Sequence, residues 1–125
     1  MKFTDLPLHP TVMQGIERAE FVECMPVQEK VLPIVLDGKD VMVQSKTGSG
    51  KTAVFLLAIL QKFVSVLNQD VSAKSPVAAI VAPTRELAVQ IEDDARILSS
   101  GIKNFRIGCF YGGVGYVKQD KQIYE

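Results

Sequence analysis

Apolar residues recur along this chain at two spacings, and the alternation between them predicts helices separated by short strands. Val12, Ile16 and Ala19 follow at steps of four and three behind Pro10, a residue suited to a first helical position, so a helix is expected over 10–19. Val27, Val31, Ile34 and Val35 share one face of a second helical segment. It opens near Pro26, holds Pro33 as a bend and stops at Asp37-Gly38. Val41-Met42-Val43 is a short β-prone run; a polar, glycine-containing loop follows it, and then an apolar-rich helix over 51–67. Residues 77–82 form an unbroken apolar run, the pattern of a strand covered on both faces. Leu87, Ile91, Ala95 and Leu98 return to helical spacing over 84–100, with Gly101 placed as a C-terminal cap. A third strand is expected over 105–111, broken by Gly112-Gly113, and a last helix over 116–124.

Strands alternating with helices predict an α/β fold with a mainly parallel sheet flanked by helices. At 125 residues the chain has room for one compact unit. Its 47% hydrophobic and 22% charged content is that of a globular chain and excludes a disordered or fibrous one. The longest apolar stretch, 53–60, falls far short of the roughly 20 residues that cross a bilayer. The N-terminus has no apolar signal core, so a cytoplasmic protein with no membrane association is expected. Cys24, Cys109 and the single His9 form neither a CxxC pair nor a ligand cluster, which predicts two free thiols, buried or half-buried. Fourteen basic residues balance fourteen acidic ones, so any nucleic-acid contact must be local.

The chemistry concentrates between the first strand and the helix after it, in Ser45-Lys46-Thr47-Gly48-Ser49-Gly50-Lys51-Thr52. Ser45 departs from the generic G-x-x-x-x-G-K-[ST] pattern, but the physics survives that change. Gly48 and Gly50 let the backbone take positive φ, so successive N–H groups can point at phosphate oxygens, and the helix N-terminus adds its positive dipole end. Lys51 supplies a charge to the β- and γ-phosphates, and the Thr52 hydroxyl can ligate Mg²⁺. The loop therefore predicts a nucleoside triphosphate with magnesium.

Three further segments carry weaker signals when read alone. The Gln28 amide donates and accepts at once, which matches the N6 donor and N7 acceptor of adenine and mismatches guanine; on a helix it equally suits the surface. Phe3 alone equally suits core packing. In Pro83-Thr84-Arg85-Glu86-Leu87-Ala88, Arg85 can fork onto a phosphate and Thr84 can join free helix N–H groups, yet the same residues make an ordinary helix N-cap. Gly112-Gly113 is by itself only a turn.

Taken in order, these segments resemble the DEAD-box ATP-dependent RNA helicases of helicase superfamily 2. Glu20–Gln28 aligns with the family's Q motif through Phe21, Pro26 and Gln28, and Phe3 stands at the family's upstream aromatic position. Glu20 and Cys24 replace the usual glycine and proline. Ser45 fits the family's P-loop, Pro83 to Ala88 match motif Ia, and Gly112-Gly113 match the GG motif. The resemblance implies a P-loop NTPase (RecA-like) fold, with 1–125 as a truncated first RecA-like domain: the Q-motif region over 1–29, and the P-loop, Ia and GG motifs within 40–125. It also implies a nucleotide site of Phe3, Gln28 and the residues from Ser45 to Thr52, with Lys51 and Thr52 as the catalytic pair and Thr52 on Mg²⁺. Backbone contacts to RNA, without sequence preference, are implied for Pro83, Thr84, Arg85, Gly112 and Gly113.

The family's Asp-Glu-Ala-Asp motif and second domain do not occur in this sequence. The expectation is therefore an ATP-binding portion of an RNA helicase that binds ATP without turning it over, and that self-associates through exposed sheet edges. The alternative is a small P-loop kinase or GTPase, which would share Gly-Lys-Thr and need none of the other motifs.

Overall fold

Four helices and one 3₁₀ turn carry the described residues, 1–66 and 78–112, in the computed structural model. Helix α1 (Pro10–Arg18) starts where His9 caps it: the ring Nδ1 accepts from the Thr11 N–H at 3.2 Å, and Pro10 takes the first position, where no donor is needed. Helix α2 (Pro26–Leu36) continues through Pro33 and ends in a Schellman turn. There Gly38, at φ 84°, donates to the Val35 carbonyl at 3.0 Å while Lys39 donates to that of Ile34 at 3.4 Å. Helix α3 (Lys51–Val66) springs from the glycine-rich loop. Helix α4 (Arg85–Leu98) is capped by Thr84, whose hydroxyl accepts from the Leu87 N–H at 3.2 Å.

Helix α3 packs against the other three, and α1 lies across α4. The core between them holds Val12 and Ile16 of α1, Leu32 of α2, Leu56, Leu57 and Leu60 of α3, and Ile91, Ala95 and Leu98 of α4. Apolar surface buried there is the main stabilising term, at about 25 cal/mol per Å². The N-terminus joins this core through a short antiparallel pairing. Phe3 donates to the Val22 carbonyl, Cys24 donates to that of Met1, and Lys2 bridges to Glu23. That pairing lays the Phe3 ring on the ring of Phe21, with centroids 5.7 Å apart.

The four helices fall where the spacing predicts them, with ends within two residues. The sheet does not: among the described residues no strand ladder forms over 41–43, 78–82 or 105–111. A helix satisfies its own N–H and C=O groups, whereas a strand needs a second segment alongside it. Two of the three runs also stay open to solvent, with Met42 fully exposed and Val81 at 95%. The third packs partly on the core through Phe105, whose ring meets Phe63 edge-on at 4.9 Å, and through Ile107. Val77, the first residue of the second run, Gly113 and the helix expected over 116–124 lie outside the described residues.

Gly101 also differs from expectation. Its φ is not in the left-handed region, and α4 is closed by Ser99. Gly101 is instead pressed against α1, where a Cβ would stand 2.5 Å from the Thr11 carbonyl oxygen and 2.7 Å from Gln14 Cβ. Close approach, not turn geometry, calls for glycine there.

Neither Cys24 nor Cys109 is in a disulfide, and both are half-buried. Burial pushes the Cys24 thiol up, with Glu29 and Asp5 adding to the shift and the N-terminal ammonium opposing it. Burial does the same to Cys109, helped by Glu92 and Asp93 against Arg96. No helix among the described residues is long and apolar enough to cross a membrane.

Candidate functional site

The loop between residue 44 and α3 turns on its two glycines, Gly48 at φ 81° and Gly50 at φ 89°, both in the region that a side chain disfavours. Inside the loop Ser49 donates its N–H to the Lys46 carbonyl at 3.3 Å, and the Ser45 and Ser49 hydroxyls lie 2.7 Å apart. The Lys51 Nζ reaches back and donates to the Ser45 carbonyl, so its charge is held over the loop at the start of α3. Thr52 follows on the helix, half-buried. Lys46 and Thr47 are exposed.

Gln28 is tied to this loop. It is 3% exposed, and both ends of its amide are engaged. Oε1 accepts from the Met25 N–H at 2.8 Å, closing the first turn of α2, while Nε2 donates to the Gly50 carbonyl at 3.2 Å. The approach is close enough that a Cβ on Gly50 would run into the amide and stand 3.0 Å from Met25 Sδ. Gly50 therefore has two reasons to be glycine, its φ and this contact.

An open cavity of about 1170 Å³ collects the pieces: Gln28, Thr47, Gly48, Gly50, Lys51 and Thr52 line it on the loop side. Phe21 and Met25 line it as well, neither of them singled out as a site residue by the sequence. Phe3, which was, is 1% exposed and lies behind Phe21 in the core, so the ring offered to the cavity is that of Phe21. Asp93 and Asp94 of α4 line the far side, and burial together with the neighbouring Asp93 raises Asp94 above the ordinary carboxylate value.

The second group of sequence-marked residues gathers at the start of α4. Pro83, Thr84 and Arg85 are exposed there, and the Arg85 guanidinium Nη1 donates to the Gly112 carbonyl at 3.1 Å. Motifs separated by 27 residues in sequence are thereby brought into contact. Gly113 lies outside the described residues.

For a divalent cation the described residues contain no cluster of three His, Cys, Asp or Glu side chains. Magnesium does not need one, because it keeps waters and takes most of its remaining oxygens from substrate phosphates. The Thr52 hydroxyl on the cavity wall, beside the Lys51 amine, fits that manner of binding.

A family model described as DEAD/DEAH box helicase matches residues 25–125. Among curated proteins, the chain is 46% identical over 123 residues to ATP-dependent RNA helicase RhlB of Serratia proteamaculans (strain 568), covering 98% of this chain and 28% of that protein. It is 42% identical over 122 residues to RhlB of Idiomarina loihiensis, with the same coverage. The chain thus spans little more than a quarter of these relatives' length. Among solved structures, a DEAD box protein from the hyperthermophile Methanococcus jannaschii superposes with a TM-score of 0.82 at 33% identity, covering 98% of this chain and 32% of that one. The RNA-helicase Prp28 from Chaetomium thermophilum, bound to ADP, gives 0.77 at 34% identity over 90% of this chain and 27% of its own.

Proposed function

We propose, from the premise that this chain belongs to the DEAD/DEAH box helicase family, that it forms the ATP-binding part of the first RecA-like domain of a cytoplasmic ATP-dependent RNA helicase. The observation that carries the reading is the joining of Gln28 to the P-loop in a cavity that Lys51 and Thr52 also line. Adenine stacks on Phe21 and is read by the second N–H and second oxygen lone pair of the Gln28 amide, the first of each being held by the Gly50 carbonyl and the Met25 N–H, while the phosphates lie along the loop under Lys51. Thr52 would offer its hydroxyl oxygen to Mg²⁺, and the ion would supply charge neutralisation to the phosphates. The chain's own residues do the remaining work: the loop N–H groups orient the phosphates, and the buried Gln28 fixes the loop against α2. Pro83, Thr84, Arg85, Gly112 and Gly113 hold the sugar–phosphate backbone of RNA without reading bases.

The parallel sheet of a RecA-like fold belongs to the same proposal, built on the runs 41–43, 77–82 and 105–111. Support comes from the superposition on the Methanococcus jannaschii protein and from the exposure of Met42 and Val81, which an added strand would cover. In isolation the chain is expected to self-associate through these runs. Sedimentation velocity over a concentration series tests this, and a monomer throughout would count against it.

Calorimetric titration with Mg-ATP and Mg-GTP in parallel tests the nucleotide site. The expected result is ATP binding about tenfold or more tighter than GTP; equal binding, or preference for GTP, would sink the reading in favour of another P-loop class. Gln28→Ala should reduce the preference to near unity. It should also cost about 1–3 kcal/mol of stability, because the Gly50 carbonyl and the Met25 N–H both lose their partner. A thermal melt read beside the titration checks the second half.

A further inference from the structure

We infer that Arg85 is a positioning residue: its guanidinium holds the Gly112 carbonyl and so sets the glycine turn against the start of α4 before any RNA arrives. The inference deepens the proposed RNA site and rests on that reading for its consequence, though not for its geometry.

Two contacts fasten the segment before the turn to the first turns of α4. Arg85 Nη1 donates to the Gly112 carbonyl at 3.1 Å, and Cys109 Sγ lies 3.8 Å from the Ala88 carbonyl as a weak donor. Arg85 and Ala88 are three apart on one helix and so share a face, and residues 109–112 run past that face. The helix end that carries Arg85 is itself fixed, because Thr84 caps it through the Leu87 N–H. The anchor is therefore rigid and the anchored piece is glycine.

That combination has a physical purpose. A glycine turn loses more backbone entropy on ordering than any other residue would. Among the described residues nothing lies within 4 Å of where a Gly112 Cβ would be, so they leave it unpacked. A hydrogen bond from a charged donor is stronger than one between neutral groups, and at this exposed site it acts locally, favouring one orientation of the Gly112 carbonyl without bearing on the fold as a whole. A guanidinium carries five donors in one plane, so the same group can hold Gly112 and still meet a phosphate oxygen.

The test uses the ¹³C,¹⁵N-labelled chain with Arg85→Ala and Arg85→Lys, and follows the Gly112 carbonyl resonance without RNA. Binding of a fluorescent oligouridylate is measured across a salt series. Arg85→Ala should move the Gly112 carbonyl resonance, leave the thermal melt unchanged and weaken RNA binding about tenfold or more. Arg85→Lys, which keeps a charged donor, should restore the resonance at least in part. If Gly112 stays put in Arg85→Ala and only the salt slope falls, by about 0.7, Arg85 is a phosphate ligand alone and the inference is overturned. If Gly112 moves but the unaltered chain binds no oligouridylate, the positioning role stands and the RNA reading falls.

Discussion

Replacing Gly15 with alanine is expected to lower the unfolding free energy by about 3 kcal/mol, at the upper end of what overpacking usually costs. Gly15 is the point where α1 touches α4. A Cβ there would overlap the Leu98 carbonyl oxygen and stand 2.5 Å from its carbon and 2.9 Å from Leu98 Cα. All three atoms are backbone, so no rotamer change relieves the clash. Helix α1 would have to lift, pulling Val12 and Ile16 away from a core in which both are now fully buried. Urea unfolding followed by far-UV circular dichroism reads the loss as a lower midpoint. Gly112→Ala is the control, because among the described residues its Cβ would meet nothing within 4 Å and the change should stay within about 0.5 kcal/mol. Equal midpoints for Gly15→Ala and the unaltered chain would mean that the two helices do not meet at this glycine.

The helices were legible because their determinants are local. His9-Pro10 before Val12 and Ile16, Gly38 after α2, and Thr84 before Leu87 each satisfy or end a helix within a few residues. The runs 41–43 and 77–82 were legible as apolar and β-prone but not as a sheet, because a ladder depends on which segment lies alongside, and periodicity is silent on that. The same distinction explains the two glycines that sequence reading handled differently. Gly38 could be placed by its position after a helix, whereas the reason for Gly101 lies in Thr11 and Gln14, distant along the chain.

At the site, the loop glycines and Lys51 were legible from spacing alone, since the chemistry of a phosphate cradle is written in consecutive residues. Gln28 was legible only through the resemblance. Its tie to the Gly50 carbonyl explains why an amide, with one donor end and one acceptor end, belongs there even without nucleotide. The burial of Phe3 behind Phe21 was not legible. It depends on the pairing of residues 1–3 with 22–24, which buries the first ring behind the second. Glu20, standing where the family has glycine, takes φ 61°. The turn that presents Phe21 is thus kept at a cost of about 1 kcal/mol in backbone strain.

Lys51→Ala is expected to weaken Mg-ATP binding by about 3 kcal/mol, roughly a hundredfold, which is less than the sum of charge-assisted bonds to two phosphate groups. The reasoning runs through what Lys51 does without nucleotide. Its Nζ is bonded to the Ser45 carbonyl, within the loop proposed to receive the phosphates. ATP must therefore win the amine from that carbonyl, and the observed affinity is the difference between the two partners. Alanine removes both, so the measured loss is smaller than the full strength of the phosphate contacts. It is also a loss of binding rather than of folding, because Lys51 lies at the mouth of the cavity while the adjacent core residues Val54 and Leu57 are untouched. The melt should accordingly shift by no more than about 0.5 kcal/mol. Calorimetry on the two proteins at equal magnesium separates the effects. A Lys51→Ala chain that bound Mg-ATP as tightly as the unaltered one would remove Lys51 from the phosphate site, and a chain that lost stability instead would make the bond to Ser45 its principal role.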